Sequence, residues 1–179
     1  MPPEDIVAAT RSWLEKAVIG LNLCPFAKPV YAREQIRYVV SEAETPEALL
    51  ADLMDELQTL AAAEPEAIET TLLIHPEVLN DFLDYNDFLG VAEEAVADLG
   101  LEGVLQVASF HPEYQFADTE PDDITNYTNR SPYPTLHLLR EASVERAVAA
   151  VADAAEIYER NMETLRRLGL EGWRRLGIG

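Results

Sequence analysis

Apolar residues recur every three to four positions in two stretches of the amino-terminal third, which is the spacing of one face of a helix. In the first stretch, Pro3 followed by two acidic residues suits a helix start, and Gly20 marks the end. In the second stretch, Thr45 stands in a strong N-cap arrangement, ahead of a proline and a glutamate. The pattern predicts helices over residues 3–20 and 45–64.

Three shorter stretches have the pattern of β-strands. Residues 36–40 alternate between two faces, which indicates an outer strand. Residues 70–74 and 104–110 carry no charge and are largely apolar, which is typical of strands buried on both faces. Each of these two buried stretches stops at a His-Pro pair.

Helical periodicity returns in the rest of the chain. Residues 77–99 have it in two pieces, with Asp84 as the predicted cap of the second piece. A short helix is expected near residues 136–141, and a long C-terminal helix from Ser143 to about residue 168. The Gly-punctuated residues 169–179 predict a loosely ordered tail.

Strands separated by full-length helices predict β-α-β crossovers, and therefore the α/β fold class. The expected architecture is a small, mainly parallel sheet of three or four strands flanked by helices, with a long C-terminal helix. A fourth strand within residues 115–128 and an antiparallel arrangement are the two alternatives. No internal repeat or domain boundary is visible, so residues 1–179 are expected to form a single domain.

The charge balance limits the partners. The chain has 33 Asp and Glu against 13 Lys and Arg, a formal charge of −20, which opposes contact with nucleic acid or an anionic membrane surface. No apolar run has the length of a membrane span, about 18 residues. The single cysteine excludes an intramolecular disulfide, and no secretory signal is recognised at the start, so the cytoplasm is the expected location.

The first candidate site consists of His75 and His111, which directly follow the two buried strands. Parallel strands bind ligands beyond their carboxyl ends, so both imidazoles are candidates for acid-base catalysis on one ligand. Cys24 is a candidate nucleophile, and with the two histidines it would make a site for zinc or another transition metal. The alternative roles are structural: each imidazole bonds a loop carbonyl, and Cys24 packs as a small hydrophobe.

The second candidate site lies in residues 109–139, which are polar and proline-punctuated but keep their aromatic side chains. Connections this long are often functional when they are ordered. Arg130 stands before a predicted helix start, where free amides of Leu136 and His137 would help it hold a carboxylate or phosphate. The predicted substrate-binding residues are Asn126, Tyr127, Asn129, Arg130 and Ser131, with Thr128 alongside. The alternative is a structural Arg130 paired with Asp122 or Asp123, and His137 is expected to be a packed helix residue.

Three segments carry a resemblance to a known family: GLNLCPFA at residues 20–27, FLDYNDFL at residues 82–89, and SFHPEYQFA with DDITNYTNRSPYPTLHLLRE within residues 109–141. The chain resembles the bacterial family catalogued as domain of unknown function 1415 over nearly its whole length. This resemblance implies a single domain. It implies no activity, cofactor or catalytic residue.

Three functions follow as hypotheses. The first is a small hydrolase- or transferase-like enzyme acting on an anionic small molecule at the C-terminal edge of the strands. The second is a metal- or ligand-binding module without turnover. The third is an interaction protein, a homo-oligomer paired through its long C-terminal helix.

Overall fold

A computed structural model describes residues 2–149 and 154–178. The strands are β1 Ile36–Val40, β2 Thr70–Ile74, β3 Leu105–Phe110 and β4 Thr135–Arg140. The α-helices are α1 Pro3–Trp13, α2 Ala27–Ala32, α3 Pro46–Ala62, α4 Phe82–Asp98, α5 Glu141–Ala149 and α6 Ala154–Arg175. A π-helical turn, Leu14–Ile19, continues α1, and a 3₁₀ helix, Ile124–Asn129, lies in the long loop before β4.

The four strands form one mixed sheet in the order β1-β2-β4-β3. Strands β1 and β2 are parallel, and β4 runs antiparallel to both of its neighbours, β2 and β3. The α/β class is confirmed, but the prediction of a mainly parallel sheet is wrong. Since β1, β2 and β3 all run in one direction, their carboxyl ends lie at the same edge, where β4 begins.

Strand β4 replaces the short helix predicted near residues 136–141, and that prediction is wrong. A strand between β2 and β3 forms backbone hydrogen bonds with both neighbours, and such tertiary pairing overrides a local helical pattern. Leu136 and Leu138 point to one face and are fully buried. His137 points to the other face, where its ring lies 5.8 Å from that of Phe110 and its Nε2 lies 2.8 Å from the Thr70 hydroxyl.

Helices cover both faces of the sheet. Leucines at i, i+4 spacing on α3 and the aromatic stripe of α4 form one core layer with the side chains of β2, β3 and β4 that point to them. The α1 helix and its π-helical turn form the other layer, with Trp13 fully buried against the sheet. The predicted helices over residues 3–20 and 45–64 are confirmed, and the Thr45 hydroxyl accepts the predicted cap bond from the Ala48 amide at 3.1 Å.

Helix α4 is a single helix, not two pieces, and its cap is Asp81. The Oδ1 atom of Asp81 accepts hydrogen bonds from the amides of Leu83 and Asp84 at 2.9 and 3.3 Å. The prediction that Asp84 is the cap is therefore wrong. The residues before Asp81 form a turn with a positive φ of 60° at Leu79, so the helix cannot begin earlier.

The C-terminal part of the chain is helical in α5 and α6, while residues 150–153, within the predicted helix from Ser143, lie outside the described residues. Gly169, with φ of 68°, breaks α6, yet helix continues to Arg175 where a loosely ordered tail was expected. Trp173 packs on Tyr127 with ring centroids 5.1 Å apart. Across both described ranges, no helix has the length and apolar composition needed to cross a bilayer.

We expect Asp81→Ala to lower the free energy of unfolding by about 1 kcal/mol, because two amides of the first turn of α4 lose their acceptor. Chemical denaturation of the variant and the parent protein measures this difference.

Asp84→Ala is the matched control, since Asp84 is exposed in the same turn and accepts no cap bond. It loses only its interaction with the helix dipole, about 0.5 kcal/mol. Equal destabilisation by the two substitutions would contradict the assignment of the cap.

Candidate functional site

The carboxyl ends of β2 and β3 place His75 and His111 on the same side of the sheet, facing α4. Both side chains are 0% exposed. Their rings lie against Tyr85 of α4, with centroid distances of 5.7 Å for His75 and 4.8 Å for His111. The structure thus brings the two predicted histidines into contact with the same tyrosine ring.

Tyr85 also ties the ends of two strands together. Its hydroxyl donates to the Thr135 carbonyl at 2.7 Å and accepts from the Phe110 amide at 3.1 Å. It carries the one polar group among the buried residues of α4, the others being Phe88, Ala92, Ala95 and Val96. Sequence reasoning did not single it out, although a tyrosine within an otherwise apolar stripe is a signal for a buried hydrogen bond.

Both ring nitrogens of His111 are hydrogen-bonded to the backbone. Nδ1 accepts from the Glu113 amide at 3.0 Å, so the proton lies on Nε2, which donates to the Leu79 carbonyl at 3.0 Å. Burial lowers the pKa of this imidazole, and the bond to Leu79 partly opposes that shift. His111 therefore joins the end of β3 to the turn before α4 and has no nitrogen left for a ligand.

The two ring nitrogens of His75 differ in their hydrogen bonding. Nδ1 donates to the Val78 carbonyl at 3.0 Å, whereas Nε2 is buried and has no hydrogen-bond partner among the residues that the structure describes. Burial lowers the pKa of His75 to about 4, and the bond to Val78 opposes this only in part. The imidazole is therefore neutral near pH 7, with a free lone pair on Nε2.

Cys24 lies in the exposed turn after the π-helical segment, whereas the two histidines follow β2 and β3. Surrounding protein desolvates the thiol and raises its pKa, more than the amides of Phe26 and Ala27 lower it. A raised pKa disfavours the thiolate that a nucleophile requires.

The predicted zinc site of Cys24, His75 and His111 is not formed. In the described ranges, no group of three or more His, Cys, Asp or Glu side chains is arranged to hold a metal ion. The physical reason is that both ring nitrogens of His111 are bonded to backbone groups, which leaves only Nε2 of His75 free in this pair. Cys24 follows Leu23, whose carbonyl accepts a hydrogen bond from Asn161 of α6 at 2.8 Å.

The guanidinium of Arg130 is held by the long loop itself. Nε donates to the Tyr114 carbonyl at 3.0 Å, Nη2 donates to the Pro121 carbonyl at 2.7 Å, and the group lies 4.5 Å from the centre of the Tyr127 ring. Among the described residues, no carboxylate forms an ion pair with Arg130. The alternative pairing with Asp122 or Asp123 is therefore absent.

Asp123 instead caps the 3₁₀ helix. Its Oδ1 accepts from the amide and the hydroxyl of Thr125 at 2.9 and 2.7 Å. Both bonds lower the pKa of the Asp123 carboxyl, and the bond from the amide has the larger effect.

The other predicted substrate-binding residues shape the loop. Asn126, 0% exposed, accepts from the Phe116 amide at 2.9 Å and donates to the Glu120 carbonyl at 2.9 Å. Asn129 donates to the Ser109 carbonyl at 2.9 Å, and the Ser131 hydroxyl donates to the Tyr133 carbonyl at 2.6 Å. The predicted helix start, with free amides at Leu136 and His137, does not exist, because both residues belong to β4.

A surface depression of about 400 Å³ lies between the start of α4 and the long loop that holds Arg130. Its lining residues are Asp81, Phe82, Leu83, Pro112, Glu113, Gln115, Pro121 and Arg130. Arg130 is the one predicted site residue among them, and the lining also includes the carboxylates of Asp81 and Glu113. Sequence reasoning missed Asp81 and Phe82, because the start of α4 was predicted too early for them to lie at the sheet edge.

The family described as protein of unknown function (DUF1415) matches residues 5–175. The chain belongs to this family. In this DUF1415 protein, Tyr85, His111 and Arg130 all lie in the segments that carry the resemblance, as do Phe82 and Cys24. No curated protein and no solved structure matches the chain.

We expect the free energy of unfolding to fall in mild acid because of the three histidines of the chain. Burial lowers the pKa of each, to about 4 for His75 and His137, from an ordinary value of 6.5. Below pH 6.5 the unfolded chain binds more protons than the folded one, so stability falls as pH decreases from about 6.5 towards 4. Denaturation at several pH values from 7 to 5, above the range of most carboxylates, measures this slope.

His75→Asn tests the contribution of one imidazole. The asparagine amide retains a donor towards the Val78 carbonyl but does not titrate, so the slope between pH 7 and 5 should become shallower. A slope equal to that of the parent protein would contradict a buried, neutral His75.

Proposed function

We propose that this protein binds a small molecule with an anionic group in the depression at the C-terminal edge of the strands, with Arg130 as the anchor. The observation that carries the proposal is a half-buried guanidinium with no carboxylate ion pair among the described residues, in a chain of formal charge −20. Acidic partners are abundant, so a cation that the fold leaves without one is suited to an external anion.

The geometry of Arg130 supports this role. Two of its five N–H groups bond to the carbonyls of Tyr114 and Pro121, and the ring of Tyr127 lies against the guanidinium. These contacts hold the group in place, so little side-chain entropy is lost when a ligand binds to the remaining N–H groups.

The carboxylates of Asp81 and Glu113 restrict the ligand further. They line the same depression as Arg130 and would repel a multiply charged anion. A ligand with one anionic group near Arg130 and an ammonium or other donor group near Glu113 matches both signs. We therefore propose a small zwitterion, of the kind an amino acid represents, in preference to a polyphosphate.

A second candidate function adds turnover by a hydrolase- or transferase-like reaction. One observation favours it: Nε2 of His75 is neutral and has no hydrogen-bond partner among the described residues, so its lone pair is available to accept a proton. His75 is fully buried, so this function requires that the turn before α4 open to admit a ligand or water. Binding without turnover requires no such movement.

Arg130→Gln tests the binding proposal. Thermal unfolding is measured with and without glycine, acetate or phosphate, at constant ionic strength set with chloride. The parent protein should be stabilised by the bound ligand, glycine more than phosphate, and the variant should lose that stabilisation. Without ligand, the variant should lose roughly 1–2 kcal/mol of stability, for two charge-assisted bonds to carbonyls in a half-buried setting.

Two further variants make the result specific to the depression. Glu113→Gln removes a repelling charge and should strengthen the effect of acetate or phosphate. Arg167→Gln, an exposed α6 residue that does not line the depression, should behave as the parent protein does. If none of the three ligands stabilises the parent protein, or if the stabilisation is the same in all variants, Arg130 is not a ligand anchor.

A further inference from the structure

His111 connects the two walls of the depression beside Arg130. One wall is the start of α4, which follows Asp81, and the other is the long loop, which carries Glu113 and Arg130. Nε2 of His111 donates to the carbonyl of Leu79, two residues before Asp81, and Nδ1 accepts from the amide of Glu113, each at 3.0 Å. A single imidazole is therefore bonded to the backbone of both walls.

Aromatic contacts hold the imidazole in this position. The His111 ring is fully buried and lies 4.8 Å from the ring of Tyr85. Phe82, which lines the depression, lies 5.5 Å from His111 and 5.1 Å from Tyr114 of the long loop. A change in the bonding of the His111 ring therefore affects residues on both sides of the depression.

The connection requires a neutral imidazole. The bond from the Glu113 amide needs the lone pair on Nδ1, and a proton added there converts this acceptor into a second donor. Two N–H groups that point at each other repel, so protonation breaks the bond to Glu113. The bond from Nε2 to the Leu79 carbonyl is compatible with both forms of the ring. Protonation therefore detaches the loop wall and leaves His111 attached to the turn before α4.

The surroundings of His111 allow it to accept a proton in mild acid. Burial lowers the pKa of the imidazole, whereas the bond to Leu79 and the carboxylates of Glu113 and Asp81 oppose that shift. The charge of His111 acts on His75, whose pKa is about 4, so His75 is neutral at pH 5 and above. The titratable groups that face His111 are His75 of the β2 end, Asp81 and Tyr85 at α4, and Glu113 and Tyr114 of the long loop.

We propose that His111 is a positioning residue for the ligand site, and that its protonation weakens ligand binding by detaching the loop wall from the α4 wall. The effect on the ligand rests on the proposed function, whereas the loss of the bond to Glu113 occurs in the ligand-free protein too. The coupling is reciprocal, so a ligand that prefers the connected walls makes His111 harder to protonate.

NMR spectroscopy of the ligand-free protein between pH 7 and 5 tests the connection itself. The imidazole signals of His111 report its protonation. Exchange of the Glu113 amide with solvent, corrected for its intrinsic dependence on pH, should rise roughly fivefold as the ring takes up its proton, because the amide loses its acceptor. The Phe110 amide is the control, since it bonds to the hydroxyl of Tyr85, and its corrected exchange should stay constant.

Titration calorimetry with glycine tests the effect on binding. Glycine remains a zwitterion without net charge from pH 7 to pH 5, so the charge on His111 has little direct effect on it. Its dissociation constant for the parent protein should rise roughly fivefold or more over this range, at constant ionic strength. Circular dichroism verifies that the protein is folded at each pH.

Three variants make the pH dependence specific to His111. His111→Asn keeps an oxygen acceptor for the amide two residues on but does not titrate, so both pH effects should disappear. Glu113→Gln keeps its amide and is exposed, so folding should be retained. It removes a carboxylate that favours the charged ring, so both effects should move to lower pH. His137→Asn removes a buried imidazole on the other face of the sheet and should behave as the parent protein does.

Three outcomes would overturn the proposal. The first is a His111 ring that stays neutral down to pH 5, and the second is a Glu113 amide whose corrected exchange is constant while His111 titrates. The third is a glycine affinity that stays constant over the same titration. Absence of glycine binding at pH 7 would contradict the proposed function instead, and the Glu113 amide would then decide whether His111 holds the two walls together.

Discussion

The hydroxyl of Tyr85 is the interaction on which the arrangement of the sheet edge depends. It bonds to the amide of Phe110 and the carbonyl of Thr135, the end of β3 and the start of β4, from within the core. Burial raises the pKa of this phenol strongly, so the proton that it donates to the Thr135 carbonyl is present at neutral pH. Tyr85 belongs to α4. Its hydroxyl therefore positions this helix relative to β3, β4 and the long loop between them.

The same residue determines what the two histidines can do. Both rings contact that of Tyr85, and their bonds to the Val78 and Leu79 carbonyls fasten the turn that precedes α4. The depression lies just outside this turn, with Arg130 held in place by carbonyls of the long loop. These bonds and ring contacts hold the turn, the long loop and Arg130 together at this end of the sheet, and Nε2 of His75 has no hydrogen-bond partner among the described residues.

The bounds of β1 and β2 and the start of α3 were predictable because periodicity, capping residues and prolines act locally. Strand β4 was not predictable in the same way, since it is selected by the open hydrogen bonds of β2 and β3, which are distant in sequence. The convergence of His75 and His111 followed from two strand ends. Other features depend on long-range packing, which no local pattern encodes. These are the hydrogen bonds of His111 to backbone groups, the position of Cys24 and the role of Tyr85.

The most direct test of the account is the unfolding free energy of Tyr85→Phe, compared with Tyr114→Phe, together with the imidazole NMR signals of the histidines. Tyr85→Phe should lose roughly 1–3 kcal/mol, because a buried amide and a buried carbonyl lose their partner, and it should shift the signals of His75 and His111 more than those of His137. Tyr114→Phe, whose hydroxyl has no hydrogen bond among the described residues, should be close to neutral. A neutral Tyr85→Phe with unshifted histidine signals would contradict the central role of this hydroxyl.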